Sequence, residues 1–139
     1  MKMKIMLEPT AFMPVRAHET DAGLDLRSRW IRSIPAHGSA EFDTGVHIEL
    51  PRGWYGKIES KSGLNVKHDV VSCGGVIDEG YTGSIVVKLY NLGDNDYVVS
   101  DGDKIAQLVI MPYIAPGIEV VDELSETDRG NNGFGSSGV

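Results

Sequence analysis

Hydrophobic and polar residues alternate along most of this chain, in short runs. The clearest run is Trp54–Ser60, where every second side chain points to the same face of an extended segment. No long segment repeats its apolar residues at helical spacing. The pattern therefore predicts many short strands, at Lys2–Leu7, Leu24–Ser28, Glu41–Leu50, Trp54–Ser60, Val70–Val71, Tyr97–Val99, Lys104–Met111 and Ile118–Val121.

Turn-forming residues separate these runs, since the chain has 17 glycines and 6 prolines. Pro51-Arg52-Gly53 and Ser100-Asp101-Gly102-Asp103 are turn sequences. Ser62–Lys67 is long enough for one helical turn, with Ser62 as its cap. A chain of 139 residues fits one domain. Many short strands and frequent turns predict an all-β sandwich or barrel with one short helical turn.

The stretch Gly75–Gly83 combines apolar strand residues with two side chains that could act on a ligand, a carboxylate and an aromatic ring. Its apolar run stops at Asp78, turns, presents the ring of Tyr81 and resumes as Ser84–Leu89. The glycines at the turn predict a hairpin. Glycine also lets a ligand approach the main chain, so this stretch is a candidate pocket floor. The plain alternative is that Asp78 only bonds nearby backbone, which is common for Asp in turns.

The character of the chain changes after Val121. Asp122–Asp128 is acidic and polar, and Arg129–Val139 is rich in glycine. Such an end is often a loose tail. The functional alternative is an arm that folds over an anion, in which glycine amides and serine hydroxyls cradle phosphate, Arg129 supplies charge and Phe134 stacks on a flat ring. We predict a β-barrel domain over 1–121 and an ordered arm over 122–139, held by ligand or by a neighbouring subunit.

Charge and cysteine content narrow the function classes. The net charge of −7 argues against nucleic-acid binding, which relies on clustered Lys and Arg, but permits a phosphate-bearing small molecule. The single cysteine, Cys73, precludes a disulfide within the chain and favours a reducing cytoplasm, that of the host if the chain is phage-encoded. We expect it to be a small buried residue.

No apolar run approaches membrane-spanning length. The four histidines have no metal-ligand spacing, which argues against structural zinc.

Five motifs follow one another along the chain. They are Ala22-Gly23-Leu24-Asp25-Leu26, Ser60-Lys61-Ser62-Gly63-Leu64, Gly75-Val76-Ile77-Asp78-Glu79-Gly80-Tyr81-Thr82-Gly83, Gly102-Asp103-Lys104-Ile105-Ala106-Gln107-Leu108 and the arm from Arg129 to Gly138. Each is common alone. In this order and at these spacings they closely resemble the trimeric dUTP diphosphatases (dUTPases), over nearly the whole chain.

The resemblance implies a homotrimer of jelly-roll-like β-barrels with three active sites at subunit interfaces. The arm of one chain would close over a site formed by the others. The implied reaction is hydrolysis of dUTP to dUMP and pyrophosphate with Mg²⁺, which keeps uracil out of DNA and supplies dUMP for thymidylate synthesis. The implied partners are dUTP and further copies of the chain, with no nucleic acid and no membrane.

Residue chemistry and the resemblance together suggest the roles at the site. Asp78, the one carboxylate that ends the apolar run, would orient and deprotonate the attacking water. Asp25 would support metal-bound water from outside the coordination sphere, with Mg²⁺ held mainly by substrate phosphates. The expected phosphate-binding residues are Lys61, Ser62, Gly63, Gln107, Arg129, Gly135 and Ser136. The expected nucleoside-binding residues are Ser72, Gly75, Val76 and Ile77 through backbone facing uracil, Tyr81 against deoxyribose and Phe134 over the base.

The chain departs from the family pattern at four positions. Lys61 stands where Arg is usual, and it keeps the charge but loses the planar fork. Gly80 stands where an acid is common, Asn132 replaces a usual Gly, and Ser137 replaces a usual Thr. Asn tolerates a positive φ and Ser keeps the hydroxyl, so we expect the arm to keep its function.

Three other functions compete with this one. A dCTP deaminase has the same fold, but that family uses a Glu in the pocket motif, whereas this motif presents Asp78. The second is a regulatory binding protein of the same fold, since phage-borne relatives can act by binding repressors. The third is a plain β-barrel module for a carbohydrate or other ligand, which leaves the order of the five motifs unexplained.

Overall fold

The computed structural model describes residues 1–138. They form eleven strands and one helix. In chain order these are β1 (Lys4–Leu7), β2 (Gly23–Arg27), β3 (Arg32–Ile34), β4 (Ser39–Asp43), β5 (Val46–Glu49), β6 (Trp54–Glu59), α1 (Ser62–His68), β7 (Val70–Ser72), β8 (Val76–Ile77), β9 (Val86–Asn91), β10 (Tyr97–Val99) and β11 (Lys104–Pro112).

The strands form four antiparallel sheets. The largest has the order β2-β11-β6-β8, and the next has the order β4-β9-β7. The pairs β1-β5 and β3-β10 complete the set. This confirms the predicted all-β class, and the arrangement of short sheets is jelly-roll-like.

One hydrophobic core joins the four sheets. Buried and exposed residues alternate along β4 and β9, as expected for strands with one face on the core. Along β11, which lies between β2 and β6, every residue from Lys104 to Ile110 is buried or half-buried. The largest of the fully buried side chains are Leu26, Ile34, Phe42, Ile48, Ile58, Ile85, Leu89, Ile105 and Leu108.

The predicted strand Glu41–Leu50 is two strands, because the chain turns at Gly45. That residue has a φ of 67°, a left-handed conformation that glycine adopts without steric cost. The buried Thr44 secures the turn, since its hydroxyl donates to the carbonyl of Ile85 over 2.7 Å. The break sends β4 and β5 into different sheets.

The hairpin predicted around Gly80 and Gly83 is wrong. The run before the turn, β8, pairs with β6, whereas the run after it, β9, pairs with β4 and β7. The turn itself is confirmed, because the amide of Tyr81 donates to the carbonyl of Asp78 over 3.0 Å. Asp78–Ser84 is therefore a crossover between two sheets.

Two further predictions need correction. Ile118–Val121 is not a strand, and Ile118 and Val120 are 95% and 94% exposed. The short helix does exist, but its N-cap is Lys61, with no side-chain capping bond, and Ser62 is its first helical residue. Within residues 1–138, no helix is long and apolar enough to cross a membrane.

Candidate active site

Three of the five motifs meet on the largest sheet. Gln107 in β11 pairs with Asp25 in β2 on one side and with Glu59 in β6 on the other. The side-chain amide of Gln107 donates to the carbonyl of Ser60 over 3.0 Å. Lys61 follows directly and opens α1. The sheet therefore gathers the first, second and fourth motifs at one place.

Asp25 carries a buried negative charge between two lysines. Its side chain is 4% exposed, with Oδ1 lying 2.6 Å from Nζ of Lys61 and Oδ2 lying 3.0 Å from Nζ of Lys104. Burial raises the pKa of Asp25, but the hydrogen bonds and charges of the two lysines outweigh it, and the pKa lies below its ordinary value. The carboxylate is thus ionised at neutral pH.

This geometry shows that Lys61 contacts Asp25. Lys61 stands where Arg is usual in the family that the five motifs resemble. Lys61 binds the carboxylate of Asp25 through one short hydrogen bond. An ammonium group needs only one acceptor here, whereas the planar fork of Arg suits two. Lys104, which supplies the second cation, was not among the predicted site residues. Its position within the fourth motif was the available signal.

Gly23 leaves the room that the side chain of Gln107 occupies, a role that the sequence did not predict. A Cβ atom at position 23 would lie 2.2 Å from Oε1 of Gln107, far inside contact distance. The glycine of the first motif therefore leaves the space in which Gln107 crosses to the carbonyl of Ser60.

Ser62 and Gly63 occupy the first turn of α1 and are exposed. Backbone amides in the first turn of a helix have no partner within that helix. They face solvent beside Lys61, so this end of the sheet combines a cation, a hydroxyl and free amides. Such a group suits an oxygen-rich anion.

Asp78 lies away from this group within the same chain. Ile77 pairs with Gly56, so β8 ends near the start of β6, whereas Ser60 lies past the end of β6. At the rise of a strand, the five steps from Tyr55 to Ser60 span roughly 16 Å. One chain alone does not bring Asp78 together with Lys61 and Gln107.

The exposed Asp78 borders an open cleft of about 430 Å³. The carboxylate of the adjacent Glu79 accepts hydrogen bonds from the amide of Gly53 and from the hydroxyl of Tyr113. These bonds fix the turn that begins at Asp78 to the body of the domain, and within residues 1–138 the side chain of Asp78 makes no hydrogen bond or ion pair. The cleft is lined by Tyr55, Val76, Asp78, Glu79, Gly80 and Tyr113.

The predicted uracil-facing segment is tied to β6. The hydroxyl of Ser60 accepts from the amide of Ser72 over 2.8 Å and donates to its carbonyl over 3.0 Å. The carbonyl of Gly75 accepts from the amide of Ile58, and the next residues, Val76 and Ile77, pair with β6. This fixes the backbone geometry of the segment.

The neighbouring Cys73 is exposed, so the expectation that it is buried is wrong. It lies between β7 and β8. Gly74 and Gly75 form the bend between these strands with φ values of 76° and 141°, which favour glycine.

Tyr81 folds back over its own turn. Its hydroxyl donates to the carbonyl of Ser84 over 2.8 Å, and a Cβ atom at Gly83 would lie 2.5 Å from that hydroxyl oxygen. Tyr81 remains 44% exposed. The glycine at position 83 is therefore needed for the ring position.

The C-terminal arm extends from the body. Among the described residues, the hydrogen bonds of segment 114–138 all lie within the arm, such as the bond from Nε of Arg129 to the carbonyl of Asn132. Ser136 donates to that same carbonyl, Phe134 is fully exposed, and Gly135 has a φ of 91°. The arm residues do not join the other predicted site residues of their own chain.

Removal of the charge on Asp25 tests this electrostatic arrangement. Because its pKa is lowered on folding, the carboxylate stabilises the fold above its ordinary pKa of 3.8, and this contribution is lost as the pH falls through the lower folded value. We expect Asp25→Asn to lower the free energy of unfolding by about 1–3 kcal/mol at pH 7, as for other hydrogen bonds to charged groups. The difference from the unsubstituted protein should shrink below pH 3.8.

Melting curves at several pH values measure this difference. Asp101→Asn, in the exposed turn before β11, is the matched control and should leave the curves unchanged. A deficit in Asp25→Asn that is the same at low and neutral pH would contradict the assignment of the stabilisation to the ionised carboxylate.

Comparison with known proteins agrees with the five motifs. The dUTPase family model matches residues 10–138. The deoxyuridine 5'-triphosphate nucleotidohydrolase of Clostridium novyi (strain NT) is 44% identical over 142 residues, which cover 99% of this chain and 100% of that protein. The enzyme of the same name from Gloeothece citriformis (strain PCC 7424) is 45% identical over 142 residues, covering 100% of this chain and 98% of that protein.

Solved structures that resemble this chain are also dUTPases. The dUTPase of Staphylococcus bacteriophage 80alpha with dUpNHpp has a TM-score of 0.94 and 31% identity, covering 99% of both chains. A mutant dUTPase from phage phi11 of S. aureus, described for its coordination of a structural Mg(II) ion, has a TM-score of 0.81 and 30% identity, covering 88% of this chain and 97% of that one.

The family match spans the region that contains all five motifs, and the structural match extends over the whole fold. The sequence relatives are matched along nearly their full length. This chain therefore belongs to the dUTPase family.

Proposed function

We propose that this chain is an enzyme that hydrolyses dUTP to dUMP and pyrophosphate with Mg²⁺, keeping uracil out of DNA and supplying dUMP for thymidylate synthesis. The observation that carries the proposal is the match to the dUTPase family over residues 10–138, a region that holds every motif in order. The relatives named above carry the name of this activity.

The proposed site is shared between subunits of a homotrimer. The distance of Asp78 from Lys61 and Gln107 within one chain supports sharing, because a general base must reach the reacting phosphate. The arm supports it too, since it extends from its own body. Exposed apolar side chains in the segment after β11 would be covered in such an assembly, namely Ile114, Ile118, Val120 and Leu124.

The proposed division of the chain into a domain and an arm rests on the exposed segment that follows β11. Residues 1–121 would be the β-barrel domain, and residues 122–139 the arm that closes over a site of the trimer. The polypeptide leaves the sheet after Pro112, and the exposed segment that follows leads to the arm. Val139 lies outside the described residues.

The reaction needs one base and many groups for phosphate. Asp78 would take a proton from water as that water attacks the α-phosphorus, and pyrophosphate would leave on the opposite side. The cation and amides around Lys61, Ser62 and Gly63, with Gln107, would hold the triphosphate of a neighbouring chain's site. Arg129, Gly135 and Ser136 of an arm would complete the phosphate contacts and exclude water.

Recognition of the nucleoside would use the rigid segment on β6. Backbone groups in the segment from Ser72 to Ile77, including Gly75 and Val76, would face uracil, and their fixed positions would leave cytosine with unpaired groups. Tyr81 would pack on deoxyribose, where its ring leaves no room for a 2′-hydroxyl. Phe134 of an arm would cover the base.

The residues of this chain suit Mg²⁺ that arrives with the substrate. Among residues 1–138 no group of three or more His, Cys, Asp or Glu side chains could hold a metal by itself. Mg²⁺ prefers phosphate oxygens and water, and when bound it would neutralise charge on the triphosphate. Asp25, ionised and fixed by two lysines, would accept hydrogen bonds from water on the metal.

The exposed, unpaired thiol of Cys73 suits a reducing compartment, and we propose that the protein works in the cytoplasm. A regulatory binding role is not part of the proposal, because the reaction alone accounts for Asp78 together with the complete arm. The deaminase alternative is tested directly by the experiment below.

Four nucleotides compared side by side test the proposal. Pyrophosphate release is measured with dUTP, UTP, dTTP and dCTP in the presence of Mg²⁺. We expect kcat/KM for dUTP to exceed that for dCTP by about 10⁴, because unpaired polar groups discriminate strongly. Similar rates with all four nucleotides would contradict a uracil-specific site, and ammonia released from dCTP would support the deaminase instead.

A further inference from the structure

His47 lies beneath the segment that follows the proposed catalytic turn. It is the second residue of β5, and its side chain is 19% exposed. Its Nδ1 lies 2.8 Å from the carbonyl oxygen of Thr82, and its Nε2 lies 2.9 Å from Oε2 of Glu8. Thr82 directly follows Tyr81, whose amide closes the turn that begins at Asp78. The histidine thus joins β5 and the end of β1 to the crossover between the sheets.

Both ring nitrogens of His47 face oxygen acceptors. A carbonyl and a carboxylate can only accept hydrogen bonds, so each nitrogen must carry a proton for both bonds to form. A neutral imidazole has one such proton and would direct a lone pair at one of the two acceptors. With Glu8 ionised, both hydrogen bonds therefore form together only when the ring is an imidazolium.

The charged groups around His47 favour that form. Glu8 is in direct contact, and the carboxylate of Asp43 is nearby. Arg29 balances part of this negative charge, with Nη2 3.8 Å from Glu8 and 3.4 Å from Asp43. Lys4 and Glu49 line a surface groove together with His47 and Thr82, but their charges neutralise each other across 2.7 Å. The hydrogen bond to Thr82, then the bond and charge of Glu8, raise the pKa of His47 above its ordinary 6.5.

We propose that His47 is a positioning residue that holds, as an imidazolium, the segment carrying Asp78 and Tyr81 in its reactive geometry. The inference rests on the proposed function, because it takes Asp78 as the catalytic base. The crossover has a second attachment nearby, where the hydroxyl of Ser84 donates to Asp43. Deprotonation of His47 removes one of its two hydrogen bonds and, whichever nitrogen loses the proton, breaks the link that runs from Glu8 through the ring to the carbonyl of Thr82.

Rates measured across pH test the effect on catalysis. At pH values below the midpoint of the His47 titration, we expect kcat of the unsubstituted enzyme to exceed that of His47→Gln by about fivefold. This is the size of effect expected for the loss of one hydrogen bond. The ratio should fall toward one above that midpoint, because Gln does not titrate. His37→Asn is the matched control, since His37 also bonds a carboxylate, that of Asp94, but on an exposed loop. Asn tolerates its φ of 57°.

A second measurement does not depend on activity. In NMR spectra of the unliganded protein, the amide of Gly83 should shift with the same midpoint as the ring of His47, and should lose that step in His47→Gln. Glu8→Gln, which keeps the histidine, should move the midpoint of both signals to lower pH. This variant keeps the test valid if His47→Gln folds poorly.

The outcomes separate this inference from the proposed function. A kcat ratio that is constant across pH overturns the positioning role in the reaction. An amide of Gly83 that does not follow His47 overturns the coupling itself. If the protein hydrolyses no dUTP at any pH, the proposed function fails, and with it the claim on catalysis, while the NMR titration still decides whether His47 holds the crossover.

Discussion

Asp78→Asn is expected to lower kcat for dUTP by roughly 10²-fold or more, the range that a general base contributes. Asn has nearly the same shape but cannot take a proton from water. Because Asp78 is exposed and Glu79 makes the bonds that fix the turn, the substitution should leave the fold unchanged. Steady-state kinetics with dUTP and Mg²⁺ measure the effect, and KM should change little.

The control for this substitution is Asp101→Asn, an exposed acid in another turn, which should keep full activity. A melting curve for each variant separates loss of chemistry from loss of fold. If Asp78→Asn turns over dUTP at the unsubstituted rate, Asp78 is not the base, and the proposed mechanism is wrong.

Truncation after Asp128 is expected to leave a folded protein with about 10²-fold lower activity, the size of effect seen when charge-stabilising donors are removed. The arm makes no described hydrogen bond to the body, so the melting temperature should stay the same. The truncated protein lacks the guanidinium of Arg129 and the ring of Phe134, which would contact phosphate and base. Melting curves and dUTP kinetics measure the two effects.

Arg129→Ala in the full-length chain separates charge from closure. The rate at which this variant hydrolyses dUTP should lie between those of the intact and truncated proteins, because the glycines and Phe134 of the arm remain. A truncated protein that unfolds would show that the arm belongs to the core, and one with full activity would show that the arm does not close over the site.

Local sequence patterns predicted the strand content well, and the physical reason is burial. Along β4 and β9 one face packs on the core, so the alternation of apolar and polar residues is visible in the sequence. The three-residue strand β3 was not predicted, because it depends on pairing with β10, some sixty residues later in the chain. Two of its three residues, Arg32 and Ser33, are also exposed, so the sequence shows no apolar run there.

Pairing partners could not be read from local patterns. The run before Asp78 and the run after it look like the arms of a hairpin, yet each binds a different sheet. Periodicity reports which face is buried, not which strand lies alongside. Ile118–Val121 has the apolar residues of a strand, but it is exposed and pairs with no strand among residues 1–138.

The candidate site was predictable to the extent that its chemistry is carried by motifs. Asp25, Lys61 and Gln107 were identified and do meet in the structure. The charge balance around Asp25 was not predicted, because Lys104 reaches it from a strand distant in sequence. His47 was missed for the same reason, since neither Glu8 nor Thr82 is its neighbour along the chain.

Mixed assemblies test the shared site most directly. Subunits with Asp78→Asn and subunits truncated after Asp128 are each nearly inactive, but a site that takes its base from a truncated subunit and its arm from a full-length one would be whole. After denaturation together, refolding and verification that both chains occupy one assembly, dUTP hydrolysis is measured against each parent refolded alone. If each active site takes residues from more than one chain, dUTP hydrolysis by the mixed assemblies returns to a sizeable fraction of the unsubstituted rate. Hydrolysis no faster than that of the two parents would contradict a site built from more than one chain.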